Sequence, residues 1–138
     1  MNVYWPNFEK RDGLITVVAQ DVTTRQVLMV AFMDEAGWRE TLSSGEVVYF
    51  STSKKERWKK GETSGDVQIV RDILIDCDGD AIVLLIEQCG DGACHTKAKS
   101  CFFRRSLGAQ QIMPAPKFAG GENALEIKDV DVCERLCL

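Results

Sequence analysis

The sequence predicts an α+β fold, strand-dominated with one or two short helices, verging on mainly β. Three observations support this. Apolar and β-branched residues gather in short runs at 14–19, 26–33, 47–51, 67–75 and 81–87, which suit strands in length and composition. One stretch, 35–42, places apolar residues at helical spacing instead. Asp, Gly, Ser and Thr punctuate the gaps, as turns require. At 138 residues, 45% of them hydrophobic and 28% charged, the chain reads as a single domain, 1–138. It can bury a core without a metal or disulfide to hold it.

Residues 14–19 and 26–33 form two antiparallel strands, because Asp21-Val22-Thr23-Thr24-Arg25 between them suits a hairpin turn. Asp34 caps a short helix over 35–42, with Trp38, Thr41 and Leu42 at helical spacing and Ser43-Ser44-Gly45 to stop it. Residues 47–51 alternate as a strand. The next segment, Lys54-Lys55-Glu56-Arg57-Trp58-Lys59-Lys60 running into Gly61-Glu62-Thr63-Ser64-Gly65, reads as a loop whose basic run is a solvated face. Residues 67–75 alternate as a long strand, Gly79 marks a turn, 81–87 return, and 101–107 form a last strand. Past Gly108 the prolines and Gly120-Gly121 break any period, and 123–138 suit a small helix or strand. The core therefore spans about 13–107, and 108–138 form a tail.

A net charge of −4 argues against a nucleic-acid partner, since phosphate binding needs clustered Lys and Arg. The N-terminus has no basic start followed by an apolar segment, so no signal peptide is expected. The longest apolar run, 81–86, is far too short to span a bilayer. The expectation is a cytoplasmic protein without a membrane partner. Six cysteines in a reducing compartment point to metal ligation or reactivity before disulfides.

The chemistry concentrates between Asp76 and Cys101, which hold three clustered carboxylates, four thiols and the one histidine. Asp76, Asp78 and Asp80 recur at i, i+2 and i+4, so in an extended chain they share a face and offer hard oxygen donors of the kind Mg²⁺ or Ca²⁺ takes. An acidic turn is the plainer reading of the same residues. Counted from Asp76, carboxylates at positions 1, 3 and 5 and Glu87 at position 12 also match a calcium loop, although Ala81 stands where that loop wants glycine. Cys77, Cys94 and Cys101 lack the two-residue spacing of a zinc ribbon. They would draw a metal between distant elements or between subunits, and three thiols with an open position suit a catalytic zinc. Cys89, or Cys133 and Cys137, would close a structural four-cysteine site instead. His95, beside Cys94, is placed to accept or deliver a proton. The non-catalytic alternative is a metal-binding module, with a calcium loop at 76–87 or a closed zinc site.

Four motifs in order resemble phosphoribosyl-AMP cyclohydrolase of histidine biosynthesis: Trp58-x-Lys60-Gly61-Glu62-Thr63-Ser64-Gly65, Asp76-Cys77-Asp78-Gly79-Asp80, Ala93-Cys94-His95-Thr96 and Ser100-Cys101-Phe102-Phe103. Ala31-Phe32-Met33 and Tyr49-x-Ser51 fit as well. The resemblance implies a cyclic amidine hydrolase that opens the N1–C6 bond of the adenine ring in phosphoribosyl-AMP to give ProFAR, through a zinc-activated water. It implies an intertwined homodimer, with zinc on Cys77, Cys94 and Cys101 shared across the dimer, magnesium on Asp76, Asp78 and Asp80, and His95 assisting proton transfer. Lys60, Glu62, Thr63 and Ser64 are the candidate substrate-binding residues. The sequence departs from the family pattern twice. Asp66 stands where many members carry His or Asn, and the loop between Gln88 and Ala93 is one residue longer than the usual Thr-Gly-Pro.

Overall fold

Alternation decides which side of each strand is hidden. In β1 (Leu14–Asp21), Ile15, Val17 and Ala19 are fully buried while the residues between them stay partly open. The computed structural model describes residues 4–104. Nearly all belong to one compact unit, Met1–Phe102; a second begins at Phe103, and of it residues 103 and 104 are described.

Among the described residues six strands, β1, β2 (Val27–Asp34), β3 (Val48–Ser51), β4 (Glu56–Lys59), β5 (Gln68–Ile75) and β6 (Ala81–Gln88), make one mixed sheet in the order β4-β3-β2-β1-β6-β5. β1 and β2 (Val27–Asp34) are the expected antiparallel hairpin. Asp21 builds its turn by accepting the Thr23 and Thr24 amides at 2.9 and 2.8 Å. α1 (Glu35–Ser44) starts where expected, with the Asp34 carboxylate accepting the Gly37 amide at 2.8 Å, a cap of about 1 kcal/mol. It ends on Gly45 at φ 75°, a left-handed stop that favours glycine. Trp38 and Thr41 are buried, whereas Leu42 is exposed despite its helical spacing. The Thr41 hydroxyl accepts the Val48 amide at 3.0 Å, which ties the helix to the start of β3 (Val48–Ser51).

The basic segment is not all loop. Glu56–Lys59 forms β4, antiparallel to β3, with Tyr49 opposite Trp58 and their rings 5.1 Å apart. Charge disguised it, since Lys and Arg on an edge strand are what keep such an edge from pairing with another chain. The strand expected at 101–107 is not present over 101–104. That chain is pinned at one point instead: the Ser100 hydroxyl donates to the Val27 carbonyl at 2.8 Å and the Cys101 amide to the Leu28 carbonyl at 2.7 Å. Residues 105–107 and the expected tail, 108–138, lie outside the described residues.

β5 (Gln68–Ile75) pairs antiparallel with β6 (Ala81–Gln88), which runs parallel to β1. The sheet curls far enough for its two halves to touch. Glu46 bridges Ile69, the Val47 amide donates to Gln68 at 3.0 Å, and the Val70 amide to Gly45 at 2.8 Å. Ile15, Val17, Leu28, Met33, Tyr49, Ile82, Leu84 and Ile86 form the core. The other face of the sheet keeps an apolar row uncovered. Leu74, Val83, Val18 and Val30 stand side by side across four strands, and Leu74 and Val30 are 51% and 47% exposed. Among the described residues no helix is long and apolar enough to cross a membrane.

Candidate functional site

β6 separates two clusters. The carboxylates precede it, and the Cys94 and Cys101 thiols follow it. Asp76, Asp78 and Asp80 do gather, with ligand oxygens within 4.8 Å of one another, but a tight turn brings them together rather than an extended strand. Asp76 accepts the Gly79 and Ala81 amides at 2.9 and 3.2 Å, and Gly79 takes φ 80° to allow it. The Gly79 carbonyl in turn accepts the Asn7 amide at 2.8 Å, which docks the N-terminal segment here. Through that docking Lys10 pairs with Asp78 and, at 3.5 Å, with Asp80; Arg11 Nε donates to Asp80 at 2.6 Å. The Arg11 guanidinium, against some desolvation, holds the buried Asp80 carboxyl below the usual carboxylate range. Nothing in the sequence pointed to Lys10 and Arg11, which meet these aspartates across almost seventy residues of chain.

The thiol loop is a compact hairpin. Ala93 and Cys94 amides donate to Lys99 and Ala98 carbonyls at 3.1 and 3.2 Å, and the Lys97 amide closes a turn on the Cys94 carbonyl at 3.0 Å. Cys94 is buried while His95 sits exposed on the turn beside it. Burial alone would raise the Cys94 thiol. The Thr96 hydroxyl at 3.0 Å and its amide, the Cys101 thiol and the Lys60 charge outweigh that and lower it. Cys101 is pushed up to about 11, first by desolvation and then by the negative charge of Cys94. Of the two sulfurs, Cys94 is therefore the easier to deprotonate. Such a pair is a ready soft-metal ligand or nucleophile.

Lys60 is buried, and its charge favours the thiolate at both cysteines. It thus belongs with the sulfurs, whereas Glu62, Thr63 and Ser64 are exposed on the 61–65 turn. That turn passes into Asp66, also buried, whose carboxylate accepts the Asp91 amide at 2.9 Å and pairs with Lys97 at 3.0 Å.

Cys77 is exposed on the carboxylate turn. Among the described residues, the metal-sized groups of His, Cys, Asp and Glu reduce to the three aspartates, so neither Cys77 nor Cys89 joins Cys94 and Cys101 within one chain. Cys133 and Cys137 lie outside the described residues. The calcium-loop alternative fails: Glu87 is paired in β6 with Arg71, away from the aspartates, and strands rather than helices flank the loop.

A family model described as phosphoribosyl-AMP cyclohydrolase matches residues 29–103. Among similar curated proteins, the phosphoribosyl-AMP cyclohydrolase of Desulforapulum autotrophicum is 57% identical over 99 residues, covering 72% of this chain and 79% of its own. That of Desulfotalea psychrophila is 50% identical over 100 residues, with 72% and 79% covered. That of Nitratidesulfovibrio vulgaris is 43% identical over 117 residues, with 85% and 93% covered.

Proposed function

We propose a site and a division of labour for this protein from one premise: the chain belongs to the phosphoribosyl-AMP cyclohydrolase family. It is a hydrolase of histidine biosynthesis, and its reaction adds water across the N1–C6 bond of the adenine ring of phosphoribosyl-AMP. Oxygen bonds to C6, the C6–N1 bond breaks, and N1 keeps the electron pair and takes a proton.

Zinc suits the thiol pair, because two soft sulfur donors stand together and one of them, Cys94, is shifted toward the thiolate form that metals bind. It does not suit the three cysteines of a single chain. The carboxylate turn and the thiol loop flank an eight-residue strand, which at about 3.3 Å per residue is roughly 25 Å long. Sulfurs on one zinc, each about 2.3 Å from it, stand only about 4 Å apart. The cage therefore takes Cys94 and Cys101 from one subunit and Cys77 from a second copy, which makes the enzyme a homodimer. The uncovered row of Leu74, Val83, Val18 and Val30 supports this, since an apolar sheet face of that extent calls for a covering partner. Bound there, zinc would acidify water and so supply a nucleophile at neutral pH.

Asp76, Asp78 and Asp80 offer the oxygen donors magnesium prefers, and Lys10 must leave Asp78 to admit it. Because Cys77 sits within that turn, a magnesium held by the aspartates of one subunit would lie beside the thiols of the other. His95, exposed next to Cys94, moves the proton that N1 requires. Glu62, Thr63 and Ser64 hold ribose and phosphate oxygens, and Lys60 lies deeper, at the thiol pair.

The observation that carries this reading is the pairing of the Cys94 and Cys101 thiols beside His95, on the end of the sheet opposite Cys77. Metal analysis with an ultraviolet assay of phosphoribosyl-AMP loss tests it. One tightly held zinc per chain, with turnover that stops on chelation and returns with zinc and magnesium, supports it; turnover unaffected by chelation overturns it.

A further inference from the structure

Asp66 is only 4% exposed, and a carboxylate hidden to that degree persists only where charge and hydrogen-bond partners meet it. Most of those partners come from the loop beyond β6, over twenty residues later. Oδ1 accepts the Asp91 amide at 2.9 Å, and Oδ2 pairs with the Lys97 ammonium at 3.0 Å. Lys97 also reaches the Asp91 carboxylate at 3.3 Å. The main chain of Asp66 is held by the Gln88 side-chain amide, which donates to its carbonyl at 3.0 Å. Gly90, at φ 76°, lies against the carboxylate so closely that a Cβ there would stand 2.1 Å from Oδ1. The two places where the sequence departs from the family pattern, Asp66 and the longer 89–92 loop, are therefore in direct contact.

Lys97 adds a second observation. It adopts φ 71°, a left-handed conformation uncommon for a residue other than glycine, asparagine or aspartate. The same residue closes the turn on Cys94, so whatever holds Lys97 also sets the direction of His95 within that four-residue turn.

We infer that Asp66 and Lys97 form a latch that holds the turn bearing Cys94 and His95 against the 61–65 loop, so that both are positioning residues for the reaction. The inference rests on the roles given above to Cys94 and His95. Without the latch the left-handed turn relaxes and His95 drifts relative to a substrate held by the 62–64 segment. A misplacement of about 1 Å can cost up to about a hundredfold in rate. The 61–65 turn keeps its own closing bond, the Gly65 amide on the Gly61 carbonyl at 2.8 Å, so substrate binding should be spared.

Asp66→Asn keeps the side-chain size and the acceptor for the Asp91 amide but removes the charge facing Lys97; Lys97→Met removes the ammonium and keeps the stem. Each should lower kcat about tenfold or more while KM stays within about twofold. Amide hydrogen exchange at Asp91 and Lys97 should speed up in both. The double variant should be no worse than either single one, because both break the same contact, and Lys97→Arg should recover most of the rate. A kcat within about twofold of the parent for either variant, or unchanged exchange at both amides, would overturn the latch. Full turnover by Cys94→Ser, measured alongside, would instead overturn the site assignment on which the latch depends, while the exchange result would still report on the latch itself.

Discussion

Complementation between two inactive chains tests the shared cage most directly. Cys77 lies on the turn before β6, and Cys94 and Cys101 lie in the loop after it. If each site draws Cys77 from one subunit and the other two thiols from its partner, Cys77→Ser and Cys94→Ser homodimers each lack a ligand in both sites. Refolded together one to one, the chains assort at random, and about half of the dimers are mixed. In a mixed dimer one site collects both lesions and the other collects none. Half of the sites in half of the dimers are then intact, so the mixture should recover about a quarter of the parent activity. Turnover is read as the ultraviolet change on loss of phosphoribosyl-AMP, and mass spectrometry of the native dimers counts the mixed species. A mixture shown to contain mixed dimers yet as inactive as either parent would refute the argument from the length of β6.

Three further outcomes follow from the same geometry. Gln68, fully buried, accepts from the Tyr49 hydroxyl and donates to Gln88 Oε1 at 2.8 Å. Gln68→Leu leaves both partners unmatched at about 1–3 kcal/mol each, so denaturant midpoints should report a loss of about 2–6 kcal/mol. Thr96→Val removes the hydroxyl that donates to Cys94 at 3.0 Å; in metal-free protein it should raise the Cys94 thiol and slow its alkylation at neutral pH several-fold. Asp66 is held below its ordinary value of 3.8, first by the Asp91 amide and then by Lys97. A depressed carboxyl stabilises the fold above its unfolded value and loses that effect as pH falls through its folded value. Urea midpoints should therefore drop below about pH 4, and less steeply for Asp66→Asn.

Much of the architecture was legible because it is local. The hairpin turn at Asp21, the Asp34 cap, the Gly45 stop and five of the six runs read as strands each depend on neighbours within a few residues, and short-range sterics and hydrogen bonding decide such features. Two readings failed for the opposite reason. β4 is written in lysine and arginine because it is an edge, and its strand character comes only from pairing with β3. The aspartates meet through a turn fixed by Gly79 and docked by Asn7, not through the period of an extended chain.

Residue types and their spacing by themselves identified the family and nominated the groups to which the chemistry is assigned: the aspartate triplet, the thiols, His95 and the 60–64 segment. Tertiary structure alone decided which of them meet. It set Cys94 against Cys101 so that one thiol is shifted down and the other up, buried Lys60 beside them, brought Lys10 and Arg11 to the aspartates and Lys97 to Asp66, and kept Cys77 at the far end of β6. These are contacts between groups up to seventy residues apart. Their energies depend on distance and desolvation after the chain has closed, and no pattern along the chain encodes either quantity.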